Sequence, residues 1–95
     1  MRKYELLYVI QPNLDEEQEK FLQEKVSNII SEQGGQIEET KEWGKRRLAY
    51  EIQDHREGYY IEVQFQGTPH LVTELDRVIK ITDGILRHII IRTEE

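Results

Sequence analysis

A small catalytic centre needs a nucleophile, a base within reach of it, or a cluster of metal ligands, and this sequence offers few of these groups. His55, His70 and His88 stand singly, with no His-x-x-x-His or acid-flanked spacing that would place two ligands on one metal. Ser27 and Ser31 share one helical segment with no histidine near them in sequence, so a nucleophile–base pair has no support. Cysteine is absent, which removes disulfides, thiolate chemistry and Cys-ligated zinc. The expectation is a protein that is no enzyme and has no metal, cofactor or small-molecule substrate. What remains is cationic: Arg2-Lys3, Lys45-Arg46-Arg47, His55-Arg56, Arg87-His88 and Arg92. Bases bunched in this way suit phosphate contacts. They also suit an ordinary solvated surface.

Net charge sharpens the question. The chain of 95 residues carries −6 overall, which disfavours long-range attraction to a nucleic acid. Residues 13–39 hold eight acids and two bases, hence the whole net charge, and the remainder balances to zero. Either an acidic helix accompanies an unremarkable basic surface, or the molecule is dipolar with its bases along one edge. No apolar run approaches the ~20 residues of a membrane span. The N-terminus opens like a signal peptide, but Glu5 interrupts the apolar stretch, Gln11-Pro12 ends it and no small-residue cleavage site follows. A cytoplasmic protein with one domain over residues 1–95 is expected.

Elements that could position the bases follow from periodicity. Residues 4–10 are apolar on both faces, with Tyr4, Leu6, Tyr8 and Ile10 opposite Leu7 and Val9, as in a central strand. A helix begins after Pro12, capped by Asp15 with Gln18 or by Asn13 with Glu16. Phe21, Leu22, Val26, Ile29 and Ile30 form its apolar stripe, and Gly34-Gly35 ends it. Residues 36–53 read as a second strand, with Arg46, Leu48, Tyr50 and Ile52 on one face. The apolar company of Arg46 points it toward the core side. A polar turn over residues 54–58 leads to a third strand, 59–66, alternating Tyr59, Ile61, Val63 and Phe65 against Tyr60, Glu62, Gln64 and Gln66. Thr68-Pro69 caps a second helix with Leu71, Val72, Leu75, Val78 and Ile79 inward, and residues 85–93 form the last strand. The order β-α-β-β-α-β is that of an α+β, ferredoxin-like domain: a four-stranded antiparallel sheet, ordered 4-1-3-2, with two helices on one face.

Such a sheet leaves its other face open. With Ile61, Val63 and Phe65 in the core, the open face carries Leu7, Val9, Tyr60, Glu62, Ile89 and Ile91, a contiguous apolar group around one acid. A register slip of one residue would turn the same group inward. His88 is turned inward by the expected register. RNA-recognition domains share this element order and stack bases on central-strand aromatics. Here Glu57 breaks the basic-glycine-aromatic spacing, and Tyr60 is the one clear open-face aromatic, with Glu62 beside it. Acylphosphatases also share the fold, but Gln11-Pro12-Asn13 replaces their glycine-rich phosphate loop. Trp43 reads as a packing anchor on the second strand.

Gly44-Lys45-Arg46-Arg47-Leu48-Ala49-Tyr50-Glu51-Ile52 closely resembles the signature segment of the bacterial small-subunit ribosomal protein conventionally numbered six. The resemblance runs the length of the chain: Arg2 and Tyr4-Glu5, Pro12-Asn13-Leu14-Asp15, Gly58-Tyr59, and Ile81-Thr82-Asp83-Gly84-Ile85-Leu86-Arg87. It implies a scaffold role, with heterodimerisation with the small-subunit protein numbered eighteen and docking on the central domain of small-subunit ribosomal RNA. Arg2 and Arg87 match the family's first- and last-strand arginines. By the same resemblance the RNA-binding set is expected among Arg2, Lys3, Arg46, Arg47, His55, Arg56, Arg87 and Arg92. The open-face group of Leu7, Val9, Tyr60, Glu62, Ile89 and Ile91 becomes the protein-partner surface. Some members carry a longer C-terminal tail along the partner, whereas this sequence stops at Glu95. The competing expectation is a ferredoxin-like regulatory domain that binds a small molecule as a homodimer.

Overall fold

The computed structural model describes residues 1–93, so the C-terminal Glu94 and Glu95, on which the tail comparison turns, lie outside the described residues. Six elements follow one another as β1 (Arg2–Ile10), α1 (Glu16–Glu32), β2 (Gln36–Ile52), β3 (His55–Gly67), α2 (Pro69–Lys80) and β4 (Ile85–Arg92). The strands form one antiparallel sheet in the order β2-β3-β1-β4, the expected 4-1-3-2 arrangement taken from the other edge. Doubly apolar β1 is central, as its pattern requires.

Every second residue of the central strands faces the helices. Tyr4, Leu6, Tyr8 and Ile10 of β1 and Ile61, Val63 and Phe65 of β3 pack under Leu22, Val26 and Ile30 of α1 and Leu71, Leu75 and Ile79 of α2. The Tyr4 and Phe65 rings stack at 5.6 Å, and burial pushes the Tyr8 hydroxyl to a higher pKa. Both helix starts are set locally. Asp15 Oδ1 accepts from the Gln18 backbone N–H at 2.8 Å while the Gln18 side chain accepts from the Asp15 N–H, a complete capping box. Thr68 Oγ1 accepts from Leu71 N–H, with Pro69 opening α2. Gly34 leaves α1 with φ +81, a conformation open to glycine. Phe21 departs from expectation. It is 65% exposed, because residues 22, 26 and 30 already fill the inward stripe and position 21 falls beside it.

The β2–β3 hairpin departs further. Its turn is two residues, Gln53 and Asp54, both at positive φ (50 and 67), as a tight primed turn demands. His55 and Arg56, expected in the turn, belong instead to β3, with His55 opposite Ile52. The pairing of β2 with β3 also slips between Ile37 and Glu39, between Glu42 and Gly44, and between Arg47 and Ile52. The second slip leaves Trp43 as an extra residue before Gly44, whose φ is +80. An extra residue reverses the alternation beyond it. Arg46 therefore pairs with Gly58, on the open face, and not toward the helices as its alternation with Leu48 suggested.

On the helix side, His88 is paired with Tyr8 and largely covered. Its Nε2 lies 2.6 Å from Asp76 Oδ1, and Asp76 Oδ2 lies 2.8 Å from Lys80 Nζ, so α2 is tied to β4 by a small polar cluster. The hydrogen bond from Lys80, and then that from His88, hold the Asp76 carboxyl below its ordinary pKa. This histidine has a structural occupation. Among the described residues, no group of three or more side chains is disposed to hold a metal ion.

Candidate interface on the open sheet face

Three rows cross the open face. Leu7 lies between Glu62 of β3 and Ile89 of β4; Val9 lies between Tyr60 and Arg87; Glu5 lies between Gln64 and Ile91. The face holds all six side chains assigned to it from the sequence, but they are not equally open. Ile89 is 53% exposed and Ile91 47%, whereas Leu7 and Tyr60 are half-buried and Val9 is buried. Glu62 is only 8% exposed, with Gln64 Nε2 donating to its Oε2 at 3.0 Å.

Val9 is covered because the hairpin curls over the sheet. A Cβ at Gly58 would overlap Val9 Cγ1 and come within 3.5 Å of Leu48 Cδ2, so glycine lets the two apolar side chains meet above the β3 backbone. Farther along the hairpin, Arg87 Nη1 donates to the Tyr50 hydroxyl at 2.6 Å, and the guanidinium sits 5.8 Å from the Tyr50 ring centroid. Tyr50 belongs to one edge strand and Arg87 to the other. Three strand gaps of ~4.8 Å separate flat edges by ~14 Å, so the hairpin end must arch across the face. Trp43 stacks on Tyr60 with centroids 6.0 Å apart and planes 10° apart. The expected packing role of Trp43 is thus on the open face, where it extends the apolar group toward β2.

The bases do not share one edge. Arg2, Lys3 and Arg92 lie at the end where β1 begins, since Arg2 is opposite Gly67 and Arg92 opposite Tyr4. Arg46, Arg47, His55, Arg56 and Arg87 lie at the far end, grouped by the pairings of Arg46 with Gly58, Arg47 with Glu57 and Arg87 with Val9. At ~3.4 Å per residue, the seven steps from Arg2 to Val9 put these groups about 24 Å apart. Arg56 is paired with Glu51 at 3.0 Å, and Arg46 Nη1 donates to the Lys45 carbonyl. Both pairs are exposed and leave donor groups facing solvent. The acids of the first turn of α1, Glu16, Glu17 and Glu19, stand on the helix layer, away from the open face.

Sequence reasoning missed three contributors, Trp43, Tyr50 and Glu5. Gly44 was the available signal for Trp43, because a glycine within a strand often marks a bulge. Nothing local announced the meeting of Tyr50 with Arg87, which depends on how far the hairpin arches.

Comparison with known proteins gives the architecture a lineage. A family model described as "Ribosomal protein S6" matches residues 3–92. The chain is 52% identical over its whole length to "Small ribosomal subunit protein bS6" of Caldanaerobacter subterraneus subsp. tengcongensis, covering all of that relative. It is 47% identical over its whole length to the protein of the same name from Moorella thermoacetica, covering 97% of it. A crystal structure of the 30S ribosomal protein S6 from Thermotoga maritima superposes with a TM-score of 0.90 at 35% identity, covering 96% of this chain and 86% of that one. With fold, signature segment and full-length relatives in agreement, the chain belongs to the ribosomal protein S6 family, structural and non-enzymatic constituents of the small ribosomal subunit in the bacterial cytoplasm.

Proposed function

We propose that the chain binds the central domain of small-subunit ribosomal RNA as a heterodimer with the basic small-subunit protein numbered eighteen, which lies on the open sheet face. The observation that carries this reading is the open face itself. Ile89 and Ile91 are exposed beside Leu7, Tyr60 and Trp43, on the sheet face opposite the helices. A contiguous apolar group of this kind marks an interaction surface, and a protein partner fits it better than bare RNA because Glu5 and Glu62 lie within it. The bases at the two sheet ends then contact phosphate on either side of the partner and position the RNA without reading its sequence. Because the net charge is −6, the protein alone attracts RNA poorly, and a basic partner supplies the missing field.

The test is RNA binding by gel shift or calorimetry, with and without the purified partner, across a salt series. The pair binds the central-domain fragment much more tightly than the protein alone. Equal affinity at physiological salt defeats the reading, and a free homodimer that does not sediment with small subunits would favour a regulatory domain. Within the pair, Arg87→Ala or Arg2→Ala lowers the slope of log K against log salt by about one for each phosphate that is no longer neutralised. An unchanged slope removes that arginine from the RNA-binding set. Arg87→Ala also frees Tyr50, so Tyr50→Phe, which keeps the ring and removes the hydroxyl, separates the phosphate effect from hairpin anchoring.

A further inference from the structure

Glu5 and Glu62 are diagonal neighbours on adjacent central strands, since Glu5 stands opposite Gln64 and Glu62 opposite Leu7. Their surroundings are apolar on the β4 side, where Ile91 faces Glu5 and Ile89 faces Leu7. The base nearest Glu62 by register is Lys41 of β2, but its ammonium turns to Glu39 at 4.0 Å. Among the described residues no ion pair reaches either Glu5 or Glu62. Other charged groups of this face are Glu39, opposite Gln64, Lys3, two residues before Glu5, Arg87, one row beyond Leu7 and engaged with Tyr50, and Arg46, opposite Gly58. A covered carboxylate with no cation is costly, and a second carboxylate beside it raises the cost. Glu62 accepts a hydrogen bond from Gln64, but a cation between the two carboxylates would supply the ion pair that neither makes among the described residues.

We propose that Glu5 and Glu62 form a socket for one arginine or lysine side chain of the protein that docks on the open face. This rests on the reading of that face as the partner surface. A guanidinium suits the socket especially, since its planar fork can donate to two carboxylates at once. Burial, followed by the neighbouring Glu62 carboxylate and its hydrogen bond, pushes Glu5 above its ordinary pKa of 4.5, with Lys41 pulling weakly the other way. Glu5 therefore takes up its proton at a higher pH than an ordinary carboxyl does, and an incoming cation opposes that uptake. Partner binding weakens as pH falls through the raised Glu5 value, because the proton then competes with the cation.

The free protein responds in the opposite sense. Glu5 binds its proton more tightly folded than unfolded, so its contribution favours folding at low pH and is lost as pH rises through the raised value. At neutral pH the socket is a liability to the isolated fold and an asset to the complex. Glu62→Gln should raise the melting temperature of the free protein by roughly 2–5 °C at pH 7. The same substitution should weaken partner binding at least about tenfold. Calorimetry in buffers of different ionisation enthalpy, at acidic pH near the raised Glu5 value, detects proton release on binding by the wild type and its reduction in Glu62→Gln. Glu5→Gln repeats the measurement independently, and Glu38→Gln, exposed on β2 and outside the Lys41–Glu39 pair, controls for general loss of negative charge.

Weaker binding with a higher melting temperature, and near-unchanged affinity for Glu38→Gln, supports the socket. Wild-type affinity in Glu62→Gln and Glu5→Gln overturns it while leaving the docking face standing. Equal losses in all three variants overturn it in favour of diffuse charge attraction. If the wild type itself does not bind the purified partner, the docking reading fails, and the socket with it.

Discussion

Ile89→Asp is expected to abolish heterodimer formation at micromolar concentrations and, with it, assembly onto the RNA, while the isolated protein stays folded. Ile89 is 53% exposed on the edge strand β4, so a carboxylate there reaches water in the free protein and leaves the core untouched. The loss of β-branched packing on an exposed strand position is worth under ~1 kcal/mol. In the complex the same carboxylate lies under the partner. There it removes apolar area that contributes ~25 cal/mol per Å2 and places an unpaired charge in a desolvated interface. It also adds a third acid to the surroundings of Leu7, whose other neighbour is Glu62. Each effect costs the complex and spares the monomer. Circular dichroism should therefore superimpose on the wild type, calorimetry with the partner should show no heat of binding, and RNA assembly should be lost. Partner affinity within threefold of wild type would show that the docking surface lies elsewhere.

The contrast between what the sequence discloses and what it conceals follows a physical line. Helix caps, the glycine end of α1 and the inward stripes of both helices are short-range consequences of residue type, and each was legible. So was the face assignment of β1, β3 and β4, because an antiparallel strand with one face covered by the helices allows a single register. The open-face group therefore follows from residue pattern alone. The β2 strand obeys no such rule. It is an edge strand running beyond the helix layer, so neither of its faces is fixed by a core there, and apolar Leu48 and Tyr50 mark the open side. Arg46 shares a face with Leu48 as the alternation suggests, but that face is the open one, so its apolar company misleads. The bases illustrate a related limit. Their bunching in sequence was plain, but antiparallel strands return the chain to alternate ends of the sheet, and bunches close in kind finish about 24 Å apart. Phe21 shows the third kind of miss. An apolar residue adjoining a buried stripe extends it only if the facing layer is wide enough to cover it.

Leu75→Ala should cost 2–5 kcal/mol of unfolding free energy, the usual range for a buried leucine truncated to alanine. Leu75 has no exposed surface and occupies the middle of the stripe that α2 lays on the sheet, one turn from Leu71 and one turn from Ile79, both also buried. The helix is 12 residues long, near the length below which an isolated helix is marginal in water. Its stability is therefore tertiary, and removing its central side chain loosens the whole element. The Asp76–His88 hydrogen bond depends on the same packing, because α2 must stay in place for Asp76 to meet β4. A domain of this size has on the order of 5–14 kcal/mol of total stability, so the loss is a large fraction of it. Urea unfolding should show a lower midpoint with little change in slope, and the melting temperature should fall by about 10–30 °C. Leu75→Met, which nearly conserves volume, should cost less than ~1.5 kcal/mol, and Ile81→Ala, at an exposed residue just past the same helix, less than ~0.5 kcal/mol. A Leu75→Ala cost under ~1 kcal/mol would mean that α2 does not close the core.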